Sequence, residues 1–209
     1  MLERLHRLIS HSVRRWLAVA IAILGFGGLV LWRAELFTVS RGTLDPAALD
    51  IRPIEARTPA AFDAVLPMVP IGMLHLQPSG GVQVIHFWAP WMRHATAQAV
   101  ALDSLRKGLP PGDVRFAVVC FDPFPSVSRF LRRNRLSLPL VLDHHHALGR
   151  DLPCPSIPYT YVIDSAGRTA AVIEGEIDWL APATREALLE LVHERDARRD
   201  TARVAISPI

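Results

Sequence analysis

Cysteine is scarce in this chain of 209 residues, which carries only Cys120 and Cys154. Two widely separated cysteines cannot build the disulfide framework of a small secreted domain, and their spacing matches no zinc site. The sequence also has no phosphate-binding glycine loop, no paired catalytic carboxylates and no recognisable arrangement of serine, histidine and aspartate. These absences argue against the commonest hydrolase and nucleotide-binding chemistries.

A surplus of positive charge is likewise missing from most of the chain. The formal net charge is +3, and four arginines against one glutamate in residues 1–15 account for all of it. No basic stripe interleaved with aromatic residues follows. We therefore expect no nucleic-acid partner. Half of the residues are hydrophobic, which is enough to support a substantial core.

Residues 16–33 predict a transmembrane anchor. The stretch from Trp16 to Trp32 has 17 residues without a charge, which is long enough for a spanning helix, and tryptophan is typical of membrane interfaces. Two arginines precede it, so the positive-inside rule predicts that residues 1–15 are cytoplasmic and that the rest lies outside. A cleaved signal peptide is the alternative, but the stretch is long for one and no small-residue cleavage site follows.

Beyond the anchor, the sequence divides into three parts. Residues 34–75 are interpreted as a tether and irregular lead-in, whose apolar second half could hold a short helix and then a strand. Residues 76–197 alternate between β-rich and amphipathic runs, and residues 198–209 form a polar tail. Strands are predicted at 82–88, 114–121, 138–142, 159–163 and 169–174. Helices are predicted at 96–107, at 126–135 with Ser126 as N-cap, and at 182–195, with a helical turn at 144–151 and a hairpin turn at 164–167.

This order of elements predicts the fold class. Three strands alternate with two helices, and a hairpin and a final helix complete the domain. Such an order implies an α/β domain with a mixed β-sheet flanked by helices on both faces, preceded here by the N-terminal transmembrane helix.

Two motifs add a family resemblance. The first is HFWAPWMRHA at 86–95, and the second is SIPYTYVID at 156–164, with GEIDW at 175–179 before the last helix. With the order of elements, they resemble the thioredoxin-like superfamily, and in particular membrane-anchored thiol–disulfide proteins of the TlpA, ResA and cytochrome c maturation type. The family pattern is Phe-Trp-Ala-x-Trp-Cys-x-x-Cys after a strand, and a cis-proline strand later. The resemblance implies a bacterial inner-membrane protein with a single span and its C-terminal domain in the periplasm.

The sequence departs from this pattern at the centre of the family's active site. Met92 and Ala95 occupy the positions of the two catalytic cysteines. A thioether cannot become a thiolate, and alanine has no sulfur, so the dithiol exchange of the family is not available at these positions. We therefore expect no catalytic residue there and no cofactor.

The residues on either side of the two replaced cysteine positions still match the family pattern, and they predict a binding module. In the family, the residue before the cis-proline presents its backbone to an extended peptide. The resemblance therefore implies a non-redox binding or scaffolding function towards another envelope protein. The residues predicted to bind this partner are Trp91, Met92, Arg93, His94, Ile157 and Pro158.

The remaining thiols leave two further readings open. Cys120 and Cys154 could form a structural disulfide in the oxidising periplasm. Alternatively, Cys154 or Cys120 could serve a divergent thiol–disulfide oxidoreductase or peroxidase, although a lone thiol needs an activating neighbour.

Histidines provide weaker candidates. His144, His145 and His146 could bind a metal, but consecutive side chains diverge and a solvated loop is the simpler interpretation. Met92 and His94, with His86, could suggest copper handling in the envelope, although His86 would lie within a strand. We predict no metal site. Four arginines in 129–135 are interpreted as the exposed face of a helix, with an acidic partner or lipid head groups as the alternative.

Overall fold

A central run of strongly apolar strands organises the domain. The structure, a computed structural model, describes residues 49–206. The central strands carry alternating side chains to two buried faces, as the β-branched and aromatic runs of the sequence require. The strands are β1 (Thr58–Pro59), β2 (Ala64–Val69), β3 (Met73–Leu76), β4 (Val82–Phe87), β5 (Val114–Cys120), β6 (Leu140–Leu142), β7 (Tyr159–Ile163) and β8 (Arg168–Glu174). The helices are α1 (Ala95–Gly108), α2 (Phe124–Asn134) and α3 (Pro182–Ile206), with a 3-10 turn at Ile54–Ala56.

These strands form one mixed sheet in the order β1-β8-β7-β4-β5-β6-β2-β3. Strand β4 pairs parallel to β5, and β5 pairs parallel to β6, while β4 pairs antiparallel to β7 and β7 to β8. The predicted mixed α/β sheet with helices is therefore confirmed. The predicted anchor at 16–33 lies outside the described residues, and no helix within 49–206 is long and apolar enough to cross a membrane.

The two faces of the sheet pack against different kinds of structure. One face carries Val84 and Val118 towards a core that includes the buried side chains of α1, α2 and α3. The opposite face carries Ile85 and Val119 towards a core without helical residues. The expectation of helices on both faces is therefore wrong. Phe62, Leu148 and Leu152, from segments between the strands, pack on the second face together with Leu66 of β2 and Leu76 of β3.

Residues 58–76 differ from the irregular lead-in that the sequence suggested. They contain no helix; β2 and β3 form a hairpin, and β2 extends the sheet by pairing with β6. Buried Ala64 and Leu66 alternate with exposed Val65 and Pro67, which is the period of a half-buried strand. Three prolines obscured this alternation in the sequence.

Helix boundaries also differ in places. Helix α2 begins at Phe124 after Pro123, so Ser126 lies inside the helix and is not its N-cap. Residues 144–151 form isolated turns and no helix. Helix α3 continues past the predicted end at 195 to Ile206, since no glycine or proline interrupts it.

A buried ion network joins the start of the domain to its last helix. Arg57 donates to Asp164 at 3.2 Å and to Glu194 at 2.6 Å. Asp164 also accepts a hydrogen bond from Arg168, and its side chain is fully buried. Burial acts to raise the pKa of Asp164, but the hydrogen bonds from Arg168 and Arg57 outweigh it and lower the pKa.

Candidate functional site

The candidate site lies where β4 ends and β7 begins. Phe87 pairs with Tyr159 in the antiparallel ladder of these strands. The loop after β4 and the Ile157–Pro158 peptide, which is cis, therefore meet at the same end of the sheet. The structure thus brings together the two motifs that lie about 70 residues apart in the sequence.

A tight turn carries the first motif from β4 into α1. The Met92 amide donates to the Ala89 carbonyl at 3.3 Å, and the Ala95 amide donates to the Met92 carbonyl at 3.1 Å. The Met92 sulfur also accepts a hydrogen bond from the Ala89 amide at 3.3 Å. Trp88 is buried and donates its indole N–H to the Ala95 carbonyl at 3.3 Å. Met92 therefore belongs to the turn, and Ala95 is the first residue of α1.

The surface of this turn is exposed and carries an aromatic side chain and charge. Trp91 is 69% exposed, and Arg93 and His94 are also exposed. His94 Nδ1 lies 2.9 Å from a carboxylate oxygen of Glu176. Glu176 was not among the predicted site residues. The only signal for it was its position in the segment 175–179 that follows β8.

The backbone beside the cis-proline is open to a further hydrogen-bonding partner. The carbonyl of Pro158 accepts a hydrogen bond from Gly175 at 2.9 Å. Ile157, by contrast, lies outside the β7 ladder and makes no backbone hydrogen bond within residues 49–206. Its side chain is half-buried. This free N–H and C=O pair is the kind of edge to which an extended peptide can add.

His86 lies beneath this surface, within β4. It is 1% exposed, and its Nδ1 lies 2.9 Å from the Thr160 hydroxyl oxygen, while its ring packs edge-on to Trp179 at 5.2 Å. Burial lowers the pKa of His86 to about 3, so the ring is neutral at neutral pH. His86 is therefore a core residue, whereas His94 is a surface residue paired with Glu176.

Cys120 ends β5, and Cys154 lies in the segment that leads into β7. Both are free thiols, so the disulfide considered from the sequence is not formed. Cys120 packs in the core on the sheet face that contacts the helices, whereas Cys154 packs against the core on the other face. The two thiols are therefore on opposite sides of the sheet and do not pair. Burial raises the pKa of Cys120 to about 12 and that of Cys154 to about 11. Neither thiol is therefore activated as a nucleophile.

The consecutive histidines make separate contacts and do not form a metal-binding group. His144 Nδ1 lies 3.0 Å from the Phe121 carbonyl oxygen, whereas the ring of His146 stacks on Phe121 at 4.2 Å. His145 is exposed. Over the part of the chain that the structure describes, no three His, Cys, Asp or Glu side chains are placed to hold a metal ion.

Comparisons with known proteins agree with this geometry. A sequence profile described as the AhpC/TSA family matches residues 73–172. The chain has the fold of the thioredoxin-like superfamily. This confirms the resemblance drawn from the two motifs. No curated protein matches the sequence.

Solved thioredoxin-like structures superpose on most of the described domain. A thiol:disulfide interchange protein from Chlorobium tepidum is 18% identical with a TM-score of 0.53, covering 66% of this chain and 99% of its own. StoA from Bacillus subtilis is 20% identical with a TM-score of 0.53, covering 64% and 98%. A secreted thiol-disulfide isomerase from Corynebacterium glutamicum is 18% identical with a TM-score of 0.57, covering 72% and 95%. At such low identity, these likenesses establish the fold.

Proposed function

We propose that this chain is a membrane-anchored envelope protein whose thioredoxin-like domain binds an extended segment of another envelope protein without dithiol exchange. In this proposal, residues 16–33 hold the chain in the bacterial inner membrane and the domain faces the periplasm. The partner segment lies along Ile157 and contacts the exposed turn that carries Trp91.

The observation that carries the proposal is the free backbone of Ile157 at the same sheet end as Trp91. Ile157 leaves its N–H and C=O unused by other backbone groups within the described domain. Backbone pairing supplies affinity to an extended peptide whatever its sequence, and neighbouring side chains supply selectivity. A tryptophan that is 69% exposed is the residue type that most often anchors such an interface.

Met92 and Ala95, at the two replaced cysteine positions, support recognition without redox chemistry. Met92 uses its sulfur to close the turn by accepting from Ala89, and Ala95 is 3% exposed, with its side chain in the core. Neither can form a mixed disulfide with a bound segment. The free thiols elsewhere have raised pKa values, so they do not replace the missing pair.

Capture of partners from native membranes tests the proposal. The full chain, carrying an affinity tag, is crosslinked in membranes of its own host and its partners are identified by mass spectrometry. Trp91→Ala should weaken capture of a specific partner by about 30-fold, since truncation of a central aromatic residue costs about 2 kcal/mol or more. Val65→Ala removes an exposed apolar side chain from β2, away from the site, and serves as the matched control.

Two results would contradict the proposal. One is that no partner is enriched over a chain lacking residues 76–197. The other is that Trp91→Ala and Val65→Ala capture the partner as well as the unaltered chain does. Capture that requires Cys154, lost in Cys154→Ser and retained in Trp91→Ala, would instead support a thiol-based activity.

A further inference from the structure

A second concave surface lies away from the candidate site. It is a cleft of about 690 Å³ between α2, the segment that leads into β6, and the end of β2. Its apolar lining includes Val69, Leu131 and Leu138, each no more than 7% exposed. The volume falls within the range of about 300–1,000 Å³ that is usual for small-molecule sites.

The charged side chains that line this cleft are all arginines. Arg132 and Arg135 line it and are exposed, and neither forms an ion pair within the described residues. Arg106 also lines it, but its guanidinium is paired with Asp103 at 2.8 Å. No aspartate or glutamate is among the lining residues. Two arginine side chains are thus available to an anion beside an apolar surface.

We propose that this cleft binds a single-chain amphipathic carboxylate, such as a medium- or long-chain fatty acid. The hydrocarbon chain lies against Phe124, which is 45% exposed, over a floor formed by Val69, Leu131 and Leu138, and it is there removed from water. The carboxylate is bound by Arg132 and Arg135, since the planar guanidinium matches the geometry of a carboxylate and forms strong charge-assisted hydrogen bonds with it.

The arginines on and just after α2 allow such a ligand to be distinguished from a flat anionic surface. The helix carries Arg129 and Arg133 as well, and both are exposed but do not line the cleft. A lipid or nucleic-acid surface would draw on all four charges, because its attraction depends on total charge near the surface. A ligand in the cleft depends on the two arginines at its edge and on the apolar surface between them.

Photocrosslinking tests this proposal on the full chain in nanodiscs of zwitterionic phosphatidylcholine. The probe is dodecanoic acid with a photoreactive diazirine near the end of its chain, and labelled peptides are mapped by mass spectrometry. Labelling is expected in residues 124–139 and should fall about tenfold or more in the double variant Arg132→Gln/Arg135→Gln. The matched control, Arg129→Gln/Arg133→Gln, removes the same charge from neighbouring positions on α2 and should label normally.

Two further arms separate the apolar and ionic contributions. Ser128→Trp fills the cleft from α2 without changing its charge and should also abolish labelling. The corresponding photoreactive dodecanol should label the cleft at least tenfold less than the acid. Labelling of residues 16–33 by probe dissolved in the bilayer is expected in every variant and does not bear on the proposal. Equal losses in the two arginine pairs, equal labelling by the acid and the alcohol, or labelling of residues 49–206 mainly outside the cleft would each overturn the proposal. Circular dichroism confirms that each variant is folded.

Discussion

The sulfur of Met92 lies 3.3 Å from the backbone nitrogen of Ala89 and closes the turn that leads into α1. Met92, which the resemblance places at the position of the nucleophilic cysteine, is therefore part of a hydrogen-bonded turn in this chain. Ala95, at the position of the second cysteine, begins the helix. An ordered turn and a helix start therefore lie at the two positions that the resemblance assigns to the catalytic cysteines.

This relationship predicts that a dithiol can be introduced into the existing site. Met92→Cys/Ala95→Cys should gain insulin reduction in the presence of dithiothreitol, whereas the unaltered chain should show none above the reagent. The thiol introduced at position 92 should have a pKa below that of a free cysteine, because it precedes the N-terminus of α1. The pH dependence of iodoacetamide alkylation measures this pKa.

The matched control for this experiment is Met92→Ser/Ala95→Ser. It introduces side chains of similar size without sulfur and should remain inactive. If mass spectrometry shows the new disulfide but insulin is not reduced, the surface around Trp91 and Ile157 does not accept an extended peptide. That result would also count against the proposed binding function.

The native thiols should react slowly in the folded protein. Burial raises the pKa of Cys154 to about 11 and that of Cys120 to about 12. At pH 8, alkylation of Cys154 should be roughly 100-fold slower than that of a free cysteine, and alkylation of Cys120 slower still. Both should react at the ordinary rate in guanidinium chloride. Rapid alkylation of Cys154 in the folded chain would revive the thiol-enzyme hypothesis.

The local pattern of the sequence was enough to predict the central elements. Strand β7 has the predicted bounds and β4 is one residue shorter than predicted, since runs of β-branched and aromatic residues have few alternatives. The β2–β3 hairpin was not predicted because Pro67 and Pro70 interrupt an otherwise regular alternation. In the structure, the antiparallel pairing with β6 decides the conformation of that segment.

Long-range polar contacts were beyond the reach of local patterns. His94 was predicted to lie at the site, but its partner Glu176 is 82 residues away in sequence. Arg57 lies in a segment interpreted as lead-in, yet it pairs with Glu194, which is 137 residues away. These pairs form only when helices and strands that are distant in sequence pack together. The periodicity of the sequence, which predicts single helices and strands, does not predict them.

The buried imidazole of His86 predicts a loss of stability in mild acid. Its folded pKa of about 3 lies below the ordinary value of about 6.5, so the unfolded chain binds more protons between these values. The stabilisation that comes from keeping His86 neutral in the folded state is therefore complete above about pH 6.5 and declines as the pH falls. Its loss should lower the free energy of unfolding by about 2 kcal/mol when the pH falls from 7.5 to 5.

Urea denaturation at several pH values measures this effect. His86→Asn, which can keep a hydrogen bond to Thr160, should remove this part of the pH dependence whatever its own stability. His145→Gln changes an exposed histidine and should leave the pH dependence unaltered. Parallel pH profiles for the unaltered chain and His86→Asn would contradict the prediction.

The ion network around Arg57 should contribute strongly to stability. Asp164 is fully buried, and it accepts hydrogen bonds from both Arg57 and Arg168. Arg57→Ala leaves this buried carboxylate with only one cation, so the free energy of unfolding should fall by about 3–5 kcal/mol. Arg52→Ala, which changes an exposed arginine in the same segment, should alter it by no more than about 0.5 kcal/mol. Urea denaturation of the three chains at pH 7.5 compares these values. A loss below about 1 kcal/mol in Arg57→Ala would contradict this prediction. It would mean that Arg168 alone compensates the charge of Asp164. The segment around Arg57 would then be held to the domain mainly by its backbone contacts with β8.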